Sequence, residues 1–280
     1  MPTQIMSTGR SSEYLDPNAP AGIAHNLYAE ATLSDTTAVN PDLIYDGASV
    51  TEISVPSGKF VITDLMISLG FVYWTIQLDK GDGNGYQPLA IFGFTLIGAV
   101  TEVKTFKTPI TIQGGTGVKI RLEAQLTTTP TTPVDVNMTL RCYTDGGAPT
   151  FSTKTPTVFT LTGLATTGAT EEVMDISANA ATPASTFAVS AGTTLQVTDF
   201  DVAADGGLTI FKLQYTTNGT DWFTAAGLDV TGLGTSSWVK ANPATPWWIT
   251  GGANVAIRIT ATTPDGAIPV TGVLMGLLCS

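Results

Sequence analysis

Few side chains in this sequence are of a type and spacing that could do chemistry. There is one histidine, His25, which removes most histidine-based acid–base catalysis and most zinc or copper ligation. It falls in an irregular N-terminal stretch and is expected to be a surface or arm contact. No Gly-x-Ser-x-Gly elbow occurs, so a Ser-His-Asp arrangement has nothing to build on. Asp79-Lys80-Gly81-Asp82-Gly83-Asn84-Gly85 gathers oxygen ligands around glycines, but its spacing does not fit an EF-hand loop, and a plain hairpin turn is the better expectation. Glu171-Glu172 with Asp175 suggests a carboxylate pair of the kind that cleaves glycosides. Neighbouring residues on a strand point to opposite faces, so these glutamates are read as a solvated strand end. Gly114-Gly115-Thr116-Gly117 lacks the Lys-Ser/Thr ending of a phosphate loop and reads as a turn. The expectation is a protein without enzymatic activity, metal or cofactor.

Composition narrows the partners. The 280 residues carry 12 Lys+Arg against 23 Asp+Glu, a formal net charge of −11. So acidic a chain has no means of neutralising a run of phosphates, and nucleic acid is not expected as a partner. With 43% apolar and 8% aromatic residues, the chain can fill two cores and is too long for one ordinary compact domain. Met1 to Ser7 lacks the basic and apolar regions of a signal peptide, and the mature protein is expected to begin near Met1. The apolar runs Leu89 to Val100 and Val270 to Cys279 are about half the ~20 residues a bilayer requires, so no membrane is expected and both runs are read as buried strands. Two cysteines, Cys142 and Cys279, do not make a disulfide framework.

The elements that must carry these residues are strands. There are 48 threonines with abundant Val and Ile, punctuated by 29 glycines and 16 prolines, a composition that suits pleated surfaces and tight turns. Val134 to Cys142 alternates apolar and polar residues, as does Val255 to Thr260. Asp82-Gly83-Asn84-Gly85 and Thr217-Asn218-Gly219-Thr220 supply hairpin turns.

The chain also matches itself. Val55-Pro56-Ser57-Gly58 and Ile62-Thr63-Asp64-Leu65 correspond to Val189-Ser190-Ala191-Gly192 and Val197-Thr198-Asp199-Phe200. Thr108-Pro109, Gly114-Gly115 and Val118 to Leu122 correspond to Thr245-Pro246, Gly251-Gly252 and Val255 to Ile259, at an offset of 137. The same offset carries Met138, Leu140 and Cys142 onto Met275, Leu277 and Cys279, placing each cysteine on the closing strand of its own copy. The predicted fold is all-β: two tandem antiparallel β-sandwiches, jelly-roll-like, of about eight strands each. Residues 1–26 form an extended arm, 27–146 the first sandwich and 151–280 the second, joined through the Gly- and Pro-rich stretch Thr144 to Thr150.

Binding candidates follow from apolar residues without a core. In the arm these are Ile5, Tyr14, Leu15 and Ile23, expected to dock on a neighbouring surface. Among the aromatics they are Trp222, Trp247 and Trp248, which either fill a core or subunit contact or form a platform for sugar stacking. Trp247 and Trp248 must face opposite ways, so at least one lies at the surface or an interface.

The segments Val55 to Leu65, Gly81 to Tyr86, Thr108-Pro109-Ile110 and Gly114-Gly115 leading into Val118 to Leu122 resemble small β-sandwich or jelly-roll virion proteins of tailed bacteriophages. The likeness runs over roughly residues 27 to 143 and 151 to 279, and its motifs mark architecture. It implies a structural component of the capsid exterior, a decoration or cement protein, or less directly a tail or baseplate piece. The implied partners are the major capsid protein and copies of the chain itself in a homo-oligomer on the particle. No functional residue is carried over. The competing expectation is a cell-surface glycan-binding module or adhesin.

Overall fold

Branched side chains and frequent turn residues leave the described residues entirely in strands, turns and loops, with no helix among them. The computed structural model describes residues 22–67, 72–93, 101–145, 151–166, 171–232, 237–243, 245–264 and 266–280. The first ten strands are β1 (Ile23–Leu33), β2 (Leu43–Tyr45), β3 (Ala48–Val50), β4 (Ile53–Ser54), β5 (Lys59–Ile67), β6 (Val72–Lys80), β7 (Gln87–Gly93), β8 (Glu102–Gln113), β9 (Val118–Leu126) and β10 (Val134–Thr144). The rest are β11 (Lys154–Ala165), β12 (Glu172–Val173), β13 (Asp175–Ala178), β14 (Phe187–Ala188), β15 (Thr194–Ala204), β16 (Gly207–Thr216), β17 (Phe223–Gly232), β18 (Ser237–Ala241), β19 (Trp247–Thr250), β20 (Ala256–Thr262) and β21 (Ile268–Cys279).

They pair into four sheets. Sheet I has the order β3-β2-β1-β10-β5-β8 and sheet II the order β4-β9-β6-β7. Sheet III runs β13-β11-β21-β15-β18, with β19 also on β15, and sheet IV runs β12-β20-β16-β17, with β14 on β20. Sheets I and II enclose one core around Leu27, Leu65, Trp74, Leu122 and Leu140. Sheets III and IV enclose a second around Phe159, Phe200, Phe211, Leu228 and Trp247. The chain is thus an all-β protein of two antiparallel sandwiches.

The two strand orders are superimposable: β2-β1-β10-β5-β8 answers to β13-β11-β21-β15-β18, and β9-β6-β7 to β20-β16-β17. Irregularities recur too. The β10–β5 ladder skips Thr63 and the β21–β15 ladder skips Thr198. A second bulge lies between Ile76 and Gln77 in the first sandwich and between Leu213 and Gln214 in the second. In each copy the paired glycines close the same turn. Gly115 N–H donates to Val55 O and Gly252 N–H to Val189 O. A Cβ on Gly251 would stand 2.0 Å from Ser190 O, and one on Gly114 2.6 Å from Ser57 O. The Gly-Gly pattern, read from the sequence as a turn, marks a close backbone approach as well.

Three expectations need correction. The first strand starts at Ile23, so Ile23, Ala24, His25 and Asn26 belong to β1 and not to an arm; their pattern was hidden because the outward residues of this strand are themselves covered. The offset of 137 holds for β9 and β20, where Gln77 faces Arg121 and Gln214 faces Arg258. It fails on the closing strand. Arg141 and Met275 each pair with the aspartate after the bulge, Asp64 or Asp199, so the offset there is 275 − 141 = 134. Met138 is accordingly core and Met275 is 36% exposed. A shift of three residues inverts the faces of a strand, and the burial pattern, not residue identity, fixes which register is real. Cys142 and Cys279 do lie on closing strands, both buried and free. Finally, Leu89 and Ile91 are exposed on edge strand β7, and β21 alternates between buried and exposed, so neither apolar run is a uniformly buried strand. Residues 94–100, the rest of the first run, lie outside the described residues.

Gly251→Ala is expected to lower stability by about 2 kcal/mol, because backbone and not a flexible side chain meets the added methyl. Gly115→Ala, whose Cβ would meet Val118 Cγ2 at 3.5 Å, is expected to be near neutral. Urea unfolding of the two variants checks the difference.

Candidate functional site

Sheet I buries both faces of its central strands β1, β10 and β5. The polar residues that alternate with core residues on β1, β5 and β10 point away from the first core and meet the β17 and β19 side of the second sandwich. Asn26, Asp64, Asn137, Thr139 and Arg141 are all buried there. Met66, on the same outward face, packs into the second sandwich's core. The alternation in Val134 to Cys142 therefore divides two buried faces, not a buried face from a solvated one.

Arg141 is the centre of this seam. It is fully buried, and its guanidinium is spread over acceptors from both sandwiches. Nη1 donates to His25 O (2.7 Å) and to Asn26 Oδ1 (3.0 Å). Nε donates to Thr245 O at 3.0 Å, and Nη2 donates to Pro246 O. The Trp247 ring centroid lies 5.3 Å from its Cζ. Burial pushes the guanidinium down to about 10, opposed by Cys142, Asp64 and Asp46, so it stays cationic at neutral pH. Around it, Asn26 Nδ2 donates to Trp248 O (2.9 Å), Thr63 Oγ1 meets Thr245 Oγ1 (2.7 Å), and Asn137 Nδ2 donates to Asp229 Oδ1 (3.2 Å). Gly227 N–H donates to Thr139 Oγ1 at 3.3 Å.

At the margin, Lys212 Nζ lies 2.9 Å from both Glu30 of the first sandwich and Glu171 of the second. Glu171 also accepts from Gln214 (2.7 Å) and Thr260 (3.1 Å). It is therefore an organised acceptor, not the solvated strand end expected, while Glu172 accepts separately from Thr166. Burial tends to raise Glu171, but Lys212 and the two other donors, Thr260 and Gln214, outweigh it and hold the carboxyl below its usual range. Burial tends to lower Lys212, and the two glutamates outweigh that and raise it.

Each outer sheet carries one stacked arginine. Arg121 Nε donates to Gln77 Oε1 (2.6 Å) and its Cζ lies 4.0 Å from the Tyr86 centroid. In the second sandwich Arg258 Nε donates to Gln214 Oε1 (2.7 Å) and lies 4.3 Å from Trp222. Such stacking holds the guanidinium flat over the ring and takes up one aromatic face.

The predicted binding residues do not converge. Ile5, Tyr14 and Leu15 lie outside the described residues. Ile23 starts β1 and is 43% exposed. Trp247 is wholly buried in the second core, and Trp248, on the opposite face of β19, is half-buried and edge-on to Phe151 at 5.9 Å. The opposed directions of the pair are as the strand geometry requires, with the second ring at the seam between sandwiches. Trp222 is half-buried under Arg258. His25 is a fixed part of β1 and not an arm contact: Nδ1 is 2.5 Å from Asp46 Oδ2 and Nε2 2.9 Å from Thr144 Oγ1. In the Asp79 to Gly85 hairpin the carboxylates of Asp79 and Asp82 accept from the loop's own Gly81 and Asn84 amides. A shallow depression of about 280 Å³ beside it is lined by Leu78, Asn84, Gln87 and Leu89 among others. Among the described residues, no group of three or more His, Cys, Asp or Glu is placed to hold a metal ion. Sequence reasoning missed the Arg141 seam. Its one available signal was an arginine in an otherwise neutral alternating strand.

No family model and no curated protein matches the chain. Solved structures similar to it include one described as the triple jelly roll fold and turret assembly in an archaeal virus, at TM-score 0.27 and 10% identity over 92% of this chain and 80% of that one. Another is the subviral particle of infectious bursal disease virus VP2, at TM-score 0.28 and 10% identity over 91% and 72%. A third is the tandem CBM22-1-CBM22-2 domain of Paenibacillus barcinonensis Xyn10C, at TM-score 0.24 and 11% identity over 90% and 92%. Scores this low carry no functional argument.

Arg141→Met is expected to cost about 3 to 5 kcal/mol, since it strands buried acceptors on both sandwiches; urea unfolding checks it, and the loss should exceed that of Lys59→Met on the surface. For Glu171, a depressed carboxyl contributes stability above its unfolded value of ~4.3 and loses it as pH falls through the lower folded value. For Lys212, a raised ammonium contributes fully below ~10.4 and loses its share as pH rises through the higher folded value. The stability gap between the parent chain and Glu171→Gln should therefore be flat from about pH 5 to pH 10 and shrink at more acid pH, as read by denaturation midpoints across pH.

Proposed function

We propose that the chain is a non-enzymatic structural protein of a virion, a decoration or cement protein that attaches to the outer capsid shell and acts by burying surface. The observation that carries this reading is how its polar chemistry is used. Arg141, His25, Lys212 and Glu171 are all engaged in holding strands and sandwiches together. What the molecule offers outward is a set of flat sheet faces and strand edges, several with exposed apolar residues. Surfaces of that kind grip other proteins. The capsid exterior follows from the resemblance to phage virion proteins in Val55 to Leu65 and the Gly-Gly turns, and the partners are the major capsid protein and copies of this chain. An acidic surface keeps decorated particles apart.

The arm and one sandwich face make the attachment. Because Ile23 to Asn26 form part of β1, the segment that is free to act as an arm ends before Ile23. Deleting residues 1–21 is expected to leave the unfolding midpoint unchanged and to abolish binding to capsids stripped of this protein, measured by co-sedimentation. Undiminished binding of the truncated chain would sink the arm's role.

The glycan-binding reading retains Trp222 among the three tryptophans first considered, since Trp247 is in the core and Trp248 in the seam. Loss of glycan-array binding on Trp222→Ala would favour it over the decoration reading.

A further inference from the structure

The seam between the sandwiches joins the outward face of sheet I to the β17 and β19 edge of the second sandwich. The fold repeats, so each of these surfaces has an equivalent elsewhere in the chain. The equivalent face is the outward side of β11, β21 and β15. The equivalent edge is β7 with β8. Both are open. On the face, Val158 is 45%, Leu164 50% and Met275 36% exposed; on the edge, Ile91 is 62% and Leu89 39% exposed.

We propose that chains associate head to tail, the β11–β21–β15 face of one copy receiving the β7–β8 edge of a second copy in the arrangement the chain already uses internally. The residues at the two seams differ in a compensating way. Internally, Gly227 sits against Tyr28 and Asn137, and even a Cβ there would lie 3.0 and 3.1 Å from them. The registers place Ile91 where Gly227 stands, and Thr160 and Thr271 where Tyr28 and Asn137 stand. A larger edge residue thus meets smaller face residues. The registers also place Val158 at the Asn26 position and Met275 at the Arg141 position, so the polar centre of the internal seam becomes apolar, as an Ile91-bearing edge requires. Charge agrees. Asp199 stands at the Asp64 position, and Asp64 receives the Thr245 N–H. Exposed Lys107 precedes Thr108, the residue equivalent to Thr245.

The contact is heterologous, so a pair of joined chains still carries one open face, on one chain, and one open edge, on the other. It deepens the reading of the chain as an assembling structural protein, yet it does not depend on attachment to a capsid, and its test uses the full chain alone.

Ile91→Glu disables the edge, and the pair Val158→Glu with Met275→Glu disables the face. All three sites are exposed, so circular dichroism and the urea midpoint should be unchanged. By sedimentation velocity the parent chain is expected to grow in mass with concentration beyond a dimer, and each variant alone to remain monomeric. An equimolar mixture of the two should double in mass and stop, because one working face meets one working edge. A parent chain that stays monomeric at its solubility limit would overturn the proposal. So would a mixture that stays monomeric, or an edge variant that still self-associates. Normal self-association combined with failed capsid binding of the chain lacking residues 1–21 would separate this contact from the arm's.

Discussion

A guanidinium with no access to water must find its partners in protein, and Arg141 finds them on both sides of the seam. Its donors diverge in a fixed plane, so His25 O and Asn26 Oδ1 on one sandwich and Thr245 O and Pro246 O on the other have to be held in one relative position. A slip of an ångström or two would leave a buried cation short of acceptors, at a cost comparable to a large share of a domain's stability. The polar pairs around it, Asn26 with Trp248 and Asn137 with Asp229, repeat the same requirement at smaller scale. Through this network the orientation of the sandwiches is specified chemically as well as by shape. The surfaces left open follow from that orientation.

Both halves keep the same bulges, the same Gly-Gly turns and the same Arg–Gln–aromatic stack. These are features that a sandwich needs for itself. They differ in what a sandwich shows to others: Arg141 against Met275, Asn26 against Val158, Gly227 against Ile91. The positions where two sandwiches meet or could meet thus differ in chemistry, while residues that set backbone geometry are retained. A polar seam suits partners covalently joined, since association itself costs little and hydrogen bonds fix orientation. An apolar one suits partners that must first find each other, because area burial then drives the encounter complex to close.

Strand content, the hairpins at Gly83 and Gly219 and the Gly-Gly turns were legible because each rests on local chemistry: branched side chains, positive φ, and the absence of a Cβ. The order of matching blocks was legible for the same reason. The closing-strand register was not, since Met, Leu and Cys recur by composition in apolar strands and only the partner strand decides which face is buried. The start of β1 was hidden likewise. His25 and Asn26 look like loop residues; His25 is held by Asp46 and Thr144 of its own sandwich, and Asn26 is covered by the second sandwich, distant in sequence, where Trp248 O accepts from its Nδ2. Glu171 looked solvated because Lys212 and Thr260, which surround it, are distant in sequence. Alternation reports that a strand has two faces. It says nothing of how many are covered.

That last point bears on function more than any motif does. The polar groups organised around Arg141 are enclosed between the two sandwiches. A ligand arriving from solution meets sheet faces and edges. The face of β11, β21 and β15 has the same strand order as one whose central strands are covered within the chain, and the proposed head-to-tail contact would cover it in the same way. A repeated fold joined face to edge always leaves one face and one edge unfilled, however many copies are added, until a ring closes or an external surface caps it. On the proposed reading, attachment to a shell of fixed curvature would supply such a stop without any further chemistry in the chain.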